Sequence, residues 1–301
     1  MQNLSRPQSL SKEWVIGIYE SFDGEKIRYG LYRKDPYTPI TNYIVFFNGR
    51  SEYIEKYWFL PEDLNLPKSW AFLTFDHRGQ GGSGGAPCHI DSFDTYMKDS
   101  IGLIEKIVAD KPYYVFAHSQ GALLSLYSNL KGKLRPEKLL LSSPFFEIYN
   151  PSLPIPYLYY TARFLSFLGF GEKPCRKAPE KSVLETSRLT TCSERFKEIT
   201  NPCYTHPESS LSWFAACCEA QDFIFLEENI KKLNIPIHIF FAQIETVVSN
   251  KKIMDWVVKS FKLCGTQELH CSFFQAKHEI FNERSEIYQP AIKRVRQWLL
   301  G

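Results

Sequence analysis

The chain has 301 residues, of which 44% are hydrophobic and 23% charged, so it can bury a full core either as one large domain or as a domain carrying an insertion. Its net charge of +3, from 36 basic and 33 acidic side chains, is too small and too diffuse to point to a nucleic-acid partner. No stretch reaches the roughly 20 apolar residues of a membrane span; the longest candidate, Tyr157 to Phe170, is short and broken by Arg163.

The first fourteen residues lack the apolar run of a secretory signal, and the expectation is a cytoplasmic protein, peripheral to a membrane at most. Trp14 to Ser21 and Lys26 to Arg33 then read as a hairpin turning at Asp23-Gly24. Short β-rich runs follow at Tyr43 to Phe47, Ala71 to Phe75, Tyr113 to Ala117, Lys138 to Leu141, Ile235 to Ala242 and Leu269 to Gln275. Between them lie helical patterns. The one from Ser92 to Asp110 has Ser92 as its cap and Ile101, Ile104, Ile107 and Val108 on one face; the others are Gly121 to Leu130, Asn250 to Leu263 and Tyr288 to Leu300. Such alternation predicts an α/β fold, a mostly parallel sheet covered by helices on both faces.

The alternation fails between about Ser142 and Asp222, where prolines, aromatics and helical patterns replace strands. The expected organisation is a core from 1–144 and 223–301, with 145–222 as an inserted cap. Eight cysteines, at 88, 175, 192, 203, 217, 218, 264 and 271, show no Cys-x-x-Cys spacing. Without an export signal they are expected to be buried, reduced thiols.

The run Tyr113 to Ala117 leads through His118-Ser119-Gln120-Gly121 into a helical pattern, placing Ser119 at a strand-to-helix turn. A nucleophile elbow needs small residues two positions either side of its serine, and Ala117 and Gly121 supply them. A five-residue match is also compatible with a serine that merely caps a helix, so the partners matter. A serine hydroxyl needs a base, and the base needs an acid that fixes its tautomer. His278 follows the last predicted strand; His77, His118 and His238 sit where structural roles fit better. Glu245 follows the strand before and completes the chain order serine, acid, histidine. Asp222 falls too early and Asp255 lies inside a helical pattern. Two backbone N–H groups should receive the developing oxyanion: that of Gln120, after the nucleophile, and that of Arg50, in the turn after Tyr43 to Phe47, where Gly49 permits close approach.

Gly79-Gln80-Gly81-Gly82-Ser83-Gly84 satisfies a dinucleotide-binding pattern, but Gly85-Ala86-Pro87 follows instead of a helix, and a glycine-rich turn is the better reading.

Several stretches together resemble the lysophospholipase and monoglyceride lipase-like serine hydrolases. They are Asn48-Gly49-Arg50-Ser51-Glu52 with Lys56-Tyr57, Asp76-His77-Arg78-Gly79-Gln80-Gly81-Gly82-Ser83-Gly84, Ser92-Phe93-Asp94, His118-Ser119-Gln120-Gly121 and Lys277-His278-Glu279. Val183 to Arg188 also resembles the bacterial lysophospholipases. The resemblance implies an eight-stranded α/β-hydrolase core with a mainly helical cap after the sixth strand. It also implies Ser119, Glu245 and His278 as a triad, with Ala117 replacing the usual glycine and Glu245 the commoner aspartate.

The expected chemistry is ester hydrolysis through an acyl-enzyme on Ser119, with no metal or organic cofactor. In the cap, Pro154 to Tyr160 and Phe164 to Phe170 supply apolar surface beside Lys173, Arg176, Lys177 and Lys181. That combination suits an acyl chain and an anionic lipid surface, although the same aromatics could simply pack the cap onto the core. A lysophospholipid or monoacylglycerol is the expected substrate. The alternatives are a carboxylesterase for small soluble esters and a catalytically silent hydrolase fold that binds a ligand.

Overall fold

The computed structural model describes residues 12–149, 151, 153–175, 187–199, 204, 206, 208–265 and 268–301. Its centre is an eight-stranded sheet in the order β1-β2-β4-β3-β5-β6-β7-β8. The strands are β1 (Trp14–Glu20), β2 (Lys26–Arg33), β3 (Asn42–Phe47), β4 (Trp70–Phe75), β5 (Tyr113–His118), β6 (Leu139–Ser142), β7 (Ile237–Ala242) and β8 (Leu269–Phe274). β2 runs antiparallel to both β1 and β4, and every other pairing is parallel.

The helices are α1 (Leu60–Asp63), α2 (Phe93–Ile107), α3 (Ser119–Leu130), α4 (Ile155–Leu165), α5 (Ser193–Ile199), α6 (Leu211–Phe225), α7 (Glu227–Ile230), α8 (Asn250–Cys264) and α9 (Ser285–Leu299). Among the described residues none is long and apolar enough to cross a membrane. Between β6 and β7 the regular structure is mainly helical, spanning α4 to α7.

Alternation along the strands builds two cores. Val45, Phe47, Leu73, Val115, Leu139 and Ile239 face one side, where α2, α3, α6 and α8 cover them through residues such as Leu103, Leu123, Cys217 and Trp256. Ile44, Phe46, Phe72, Phe116, Leu140 and Phe240 face the other, covered by Leu60 of α1 and by Tyr288, Ile292 and Val295 of α9. The central strands are thus apolar on both faces, which is why they read as continuous hydrophobic runs rather than alternating ones.

The observed elements depart from the sequence expectations at identifiable points. β7 starts at Ile237 and not at Ile235, because Pro236 has no N–H for the ladder; its carbonyl instead accepts from Leu139 N at 2.9 Å. α2 ends at Ile107, and Ala109 turns left-handed. Its core face is Phe93, Tyr96, Met97, Ser100, Leu103 and Ile104, while Ile101 and Ile107 are half-buried. Ser92 does cap it, accepting from Asp94 N at 3.2 Å. α9 starts three residues before Tyr288 and carries Pro290 inside it. The cysteine expectation is corrected in part. Cys88, Cys192, Cys217 and Cys218 are buried and free, but Cys175 and Cys271 are exposed and Cys264 half-buried, all unpaired; Cys203 lies outside the described residues.

The glycine-rich run opens no helix, since the next one starts at Phe93. It is a tight turn in which Gly79 N bonds Gly84 O at 2.7 Å and Gly82 N bonds Asp76 Oδ2 at 2.7 Å. A Cβ on Gly81, itself left-handed at φ +54°, would meet Asp76 Cγ at 2.3 Å. The turn therefore wraps a buried carboxylate and leaves no cradle for a pyrophosphate.

Candidate active site

β5 ends at His118 and α3 begins at Ser119, so the chain changes from strand to helix within one residue. Ser119 takes φ +50°, a left-handed conformation that costs a non-glycine residue on the order of 1–3 kcal/mol. The turn is tight enough that a Cβ on Gly121 would lie 2.4 Å from the carbonyl oxygens of both Phe47 and Asn48. Any side chain there would lever α3 off the end of β3. Ala117 pairs with Phe47 in the sheet and is fully buried, its methyl being part of the core.

The structure brings the three residues picked out from the sequence into one chain of hydrogen bonds. Ser119 Oγ lies 3.0 Å from His278 Nε2, and His278 Nδ1 lies 2.7 Å from Glu245 Oε2. All three side chains are buried. The second oxygen, Glu245 Oε1, accepts from Val247 N at 2.7 Å and Val248 N at 3.3 Å. Burial pushes the Glu245 carboxyl up, but His278 and these two N–H groups outweigh it and leave it below its ordinary value. Burial likewise disfavours a charged His278; the Glu245 carboxylate, aided by Glu279 and Glu52, outweighs that and raises the imidazole above 6.5. An ionised Glu245 can only accept, so Nδ1 carries the proton and Nε2 is left to accept from the serine.

The histidine loop is braced from beneath and from the segment between β6 and β7. Ser143 Oγ donates to His278 O at 2.9 Å, Glu279 N to Leu189 O at 2.9 Å, and Thr190 Oγ1 to Asn282 O at 2.7 Å.

Gln120 is the second residue of α3, where backbone N–H groups have no partner inside the helix. Its side chain is buried and accepts from Trp213 Nε1 at 3.2 Å. Arg50 lies in the turn after β3, its guanidinium 3.2 Å from Ser209 Oγ and over the Trp213 ring. That turn is pinned at several points. Gly49 N donates to Glu52 Oε2, Ser51 N to Gln80 Oε1 at 2.6 Å, and Ile54 N to Asp76 Oδ1 at 2.8 Å. The glycine-rich turn and Asp76 just before it thus have a second task, since Gln80 and Asp76 reach the loop beside Ser119. A Cβ on Gly49 would meet Glu52 Oε2 at 2.8 Å and His118 Cδ2 at 3.0 Å.

The other histidines sit in packing roles. His77 Nε2 bonds Asn48 O at 2.8 Å. His238 bonds Ser272 Oγ at 2.9 Å and packs on Trp298. His118 packs against the ring of His278, with centroids 4.8 Å apart, and burial drives it down to about 3 despite Glu52, so it stays neutral.

Residues that sequence reasoning assigned no role also belong here. Glu52, Lys56 and Glu279 form a buried ion cluster against the histidine loop. Only the i,i+4 spacing of Glu52 and Lys56 was visible in sequence, whereas Glu279 lies 223 positions from Lys56.

The family model described as serine aminopeptidase, S33, matches residues 38–285. The chain belongs to this family of α/β hydrolases. As an S33-family member it is a hydrolase of the lipase and esterase type. It is 29% identical over 277 residues to the Haemophilus influenzae protein named "Probable lysophospholipase L2", covering 88% of this chain and 85% of the relative. Its fold is similar to a soluble variant of monoglyceride lipase from Saccharomyces cerevisiae, with TM-score 0.78, 18% identity and coverage of 98% and 97%. It is also similar to a carboxyl esterase from Bacillus coagulans, with TM-score 0.76, 14% identity and coverage of 96% and 98%.

The contact at Gly121 generates a direct test. Gly121→Ala should lower folding stability by about 1–3 kcal/mol, as overpacking against immovable backbone does, read from the urea denaturation midpoint. An unchanged midpoint would contradict the close approach.

Proposed function

We propose that this S33-family hydrolase cleaves carboxylic esters of lipids, a lysophospholipid or a monoacylglycerol, through an acyl-enzyme on Ser119. The observation that carries the reading is the unbroken hydrogen-bond chain from Ser119 through His278 to Glu245. His278 Nε2 takes the serine proton as Oγ attacks the ester carbonyl carbon, and Glu245 stabilises the imidazolium that forms. The backbone N–H groups of Gln120 and Arg50 receive the oxyanion, Gln120 with the added field of the α3 N-terminus. Collapse expels the alcohol, which takes the proton from His278. Water then attacks the acyl carbon, giving its proton to His278, and the free acid leaves as Ser119 is restored.

Residues 145–222 serve in this proposal as the cap over the site and supply the lipid-facing surface. Tyr157, Tyr160, Phe164 and Phe167 on α4 and the turn after it are exposed, Phe167 by 87%, and Lys173 is exposed nearby in the chain. Exposed rings beside a cation suit acyl chains and an anionic lipid surface. Arg176, Lys177 and Lys181, and Val183 to Thr186, lie outside the described residues. The names of the Haemophilus and yeast relatives support the same substrate class.

Ser119→Ala should abolish both ester turnover and fluorophosphonate labelling. Turnover by the unaltered chain should be higher on monoacylglycerols and lysophospholipids presented in vesicles than on short dispersed esters. Equal or better turnover of short soluble esters would favour a carboxylesterase instead, and no turnover at all a silent fold.

The raised His278 gives a pH expectation. Only the neutral imidazole can accept the serine proton, so kcat/KM should rise with pH through an apparent value above 6.5, the ordinary imidazole value. An acid limb at or below that value would contradict the influence assigned to Glu245.

A further inference from the structure

A buried ion cluster joins the two loops that the proposed reaction most needs to keep in register. Lys56 Nζ lies 2.6 Å from Glu52 Oε1 and 2.7 Å from Glu279 Oε1, and all three side chains are more than nine-tenths buried. Glu52 belongs to the turn that carries Arg50. Its Oε1 also accepts from Tyr57 OH at 2.9 Å, and its Oε2 from Gly49 N. Glu279 follows His278 directly, and its Oε2 accepts from Asn282 Nδ2 at 2.9 Å.

We propose that Lys56 is a positioning residue, an ammonium bridge through which the Glu52 carboxylate of the oxyanion turn and the Glu279 carboxylate of the histidine loop hold the two halves of the active site at fixed separation. The proposal rests on the triad reading above. Three considerations favour it. A buried ion pair is roughly neutral for stability against an apolar replacement of similar shape, so fixed geometry is what such a cluster adds. Each carboxylate oxygen of the pair has a directional donor: Lys56 and Tyr57 OH on Glu52 Oε1, Gly49 N on Glu52 Oε2, Lys56 on Glu279 Oε1 and Asn282 Nδ2 on Glu279 Oε2. Glu52 and Glu279 also both act to raise the imidazole of His278, which must become cationic.

The ionised forms of Glu52 and Lys56 are favoured, and that of Glu279 is disfavoured. Burial pushes Glu52 up, but Lys56 and the hydrogen bond from Gly49 N outweigh it and hold it down to about 2. Lys56 is raised, its two carboxylate partners outweighing burial. Glu279 is raised by burial and by Glu52, with Lys56 opposing. The groups that act on His278 are Glu245 after β7, Glu279 on its own loop, Glu52 from the turn after β3, Ser119 at its Nε2 and neutral His118 at the end of β5. Of the nearby loop charges, Lys277 is turned away to Ser187 O, and Arg188 contributes its carbonyl to His278 N at 3.5 Å.

The test compares Lys56→Met, Lys56→Arg and Glu279→Gln in the full chain, using a p-nitrophenyl ester across pH, with melting temperatures recorded alongside. Lys56→Met should lower kcat about tenfold to a hundredfold with KM little changed, the signature of misplaced machinery rather than lost binding. Lys56→Arg, which keeps the cation, should recover most of that loss. Glu279→Gln removes one negative charge near His278, so the acid limb of kcat/KM should move to lower pH. A folded Lys56→Met with kcat within about twofold of the parent would overturn the proposal. Should that variant not fold, a folded Glu279→Gln, which weakens the bridge at its other end, with kcat within about twofold of the parent overturns it independently. Failure of the triad reading is separately visible, because the unaltered chain would then not be labelled at Ser119 by a fluorophosphonate.

Discussion

The first turn of α3 approaches the end of β3 so closely that Gly121 must be glycine, and Ser119 must turn left-handed to let it happen. Much of the molecule follows from that contact. β5 has to lie beside β3 in the middle of the sheet, with parallel strands on both sides, so that its C-terminal end opens where other strands deliver their loops. The turns after β3, β7 and β8 then converge on Ser119, bringing the Gly49-Arg50 turn, Glu245 and His278. The conformational cost at Ser119 is met by the apolar packing of α3, every residue of which is buried.

Around this turn the chain buries several ionisable groups, each held by named donors or counter-charges. Asp76 is pushed up to about 7 by burial, with Arg28 and the N–H groups of Gly82 and Ile54 opposing. In holding those partners it fixes both the glycine-rich turn and the loop at Ile54. Glu245 has backbone N–H groups on one oxygen and His278 on the other. Such arrangements contribute little net stability, but they leave few alternative positions for the side chains that must meet within hydrogen-bonding distance.

What was legible in the sequence was what depends on local pattern. The strand-turn-helix at Ser119 and the turn character of Gly79 to Gly84 rest on residues close together in sequence, and Glu245 and His278 were found by their place after successive predicted strands. Strand boundaries slipped by a residue or two where a proline intervened, as at Pro236. The ion cluster was invisible because Lys56 and Glu279 are joined only by the folded sheet. Its signature in sequence, a glutamate and a lysine four apart, is also what any solvated helix shows. Exposed Cys175 and Cys271 were missed because spacing and the lack of an export signal bear on thiol pairing, not on which thiols the fold buries. The role of the glycine-rich turn was half legible. Its conformation could be read from its glycines, but its service to Ser51 and Ile54 could not, because those contacts cross between separate strands.

The account depends above all on Ser119 becoming covalently acylated. Mixing the protein with an activated long-chain ester, quenching in acid within one turnover, and measuring intact and peptide masses would test this directly. The account predicts an acyl adduct confined to the peptide containing Ser119, formed and lost at rates compatible with steady-state turnover. Steady hydrolysis without such an adduct when deacylation is made limiting, or an adduct on another residue, would contradict it.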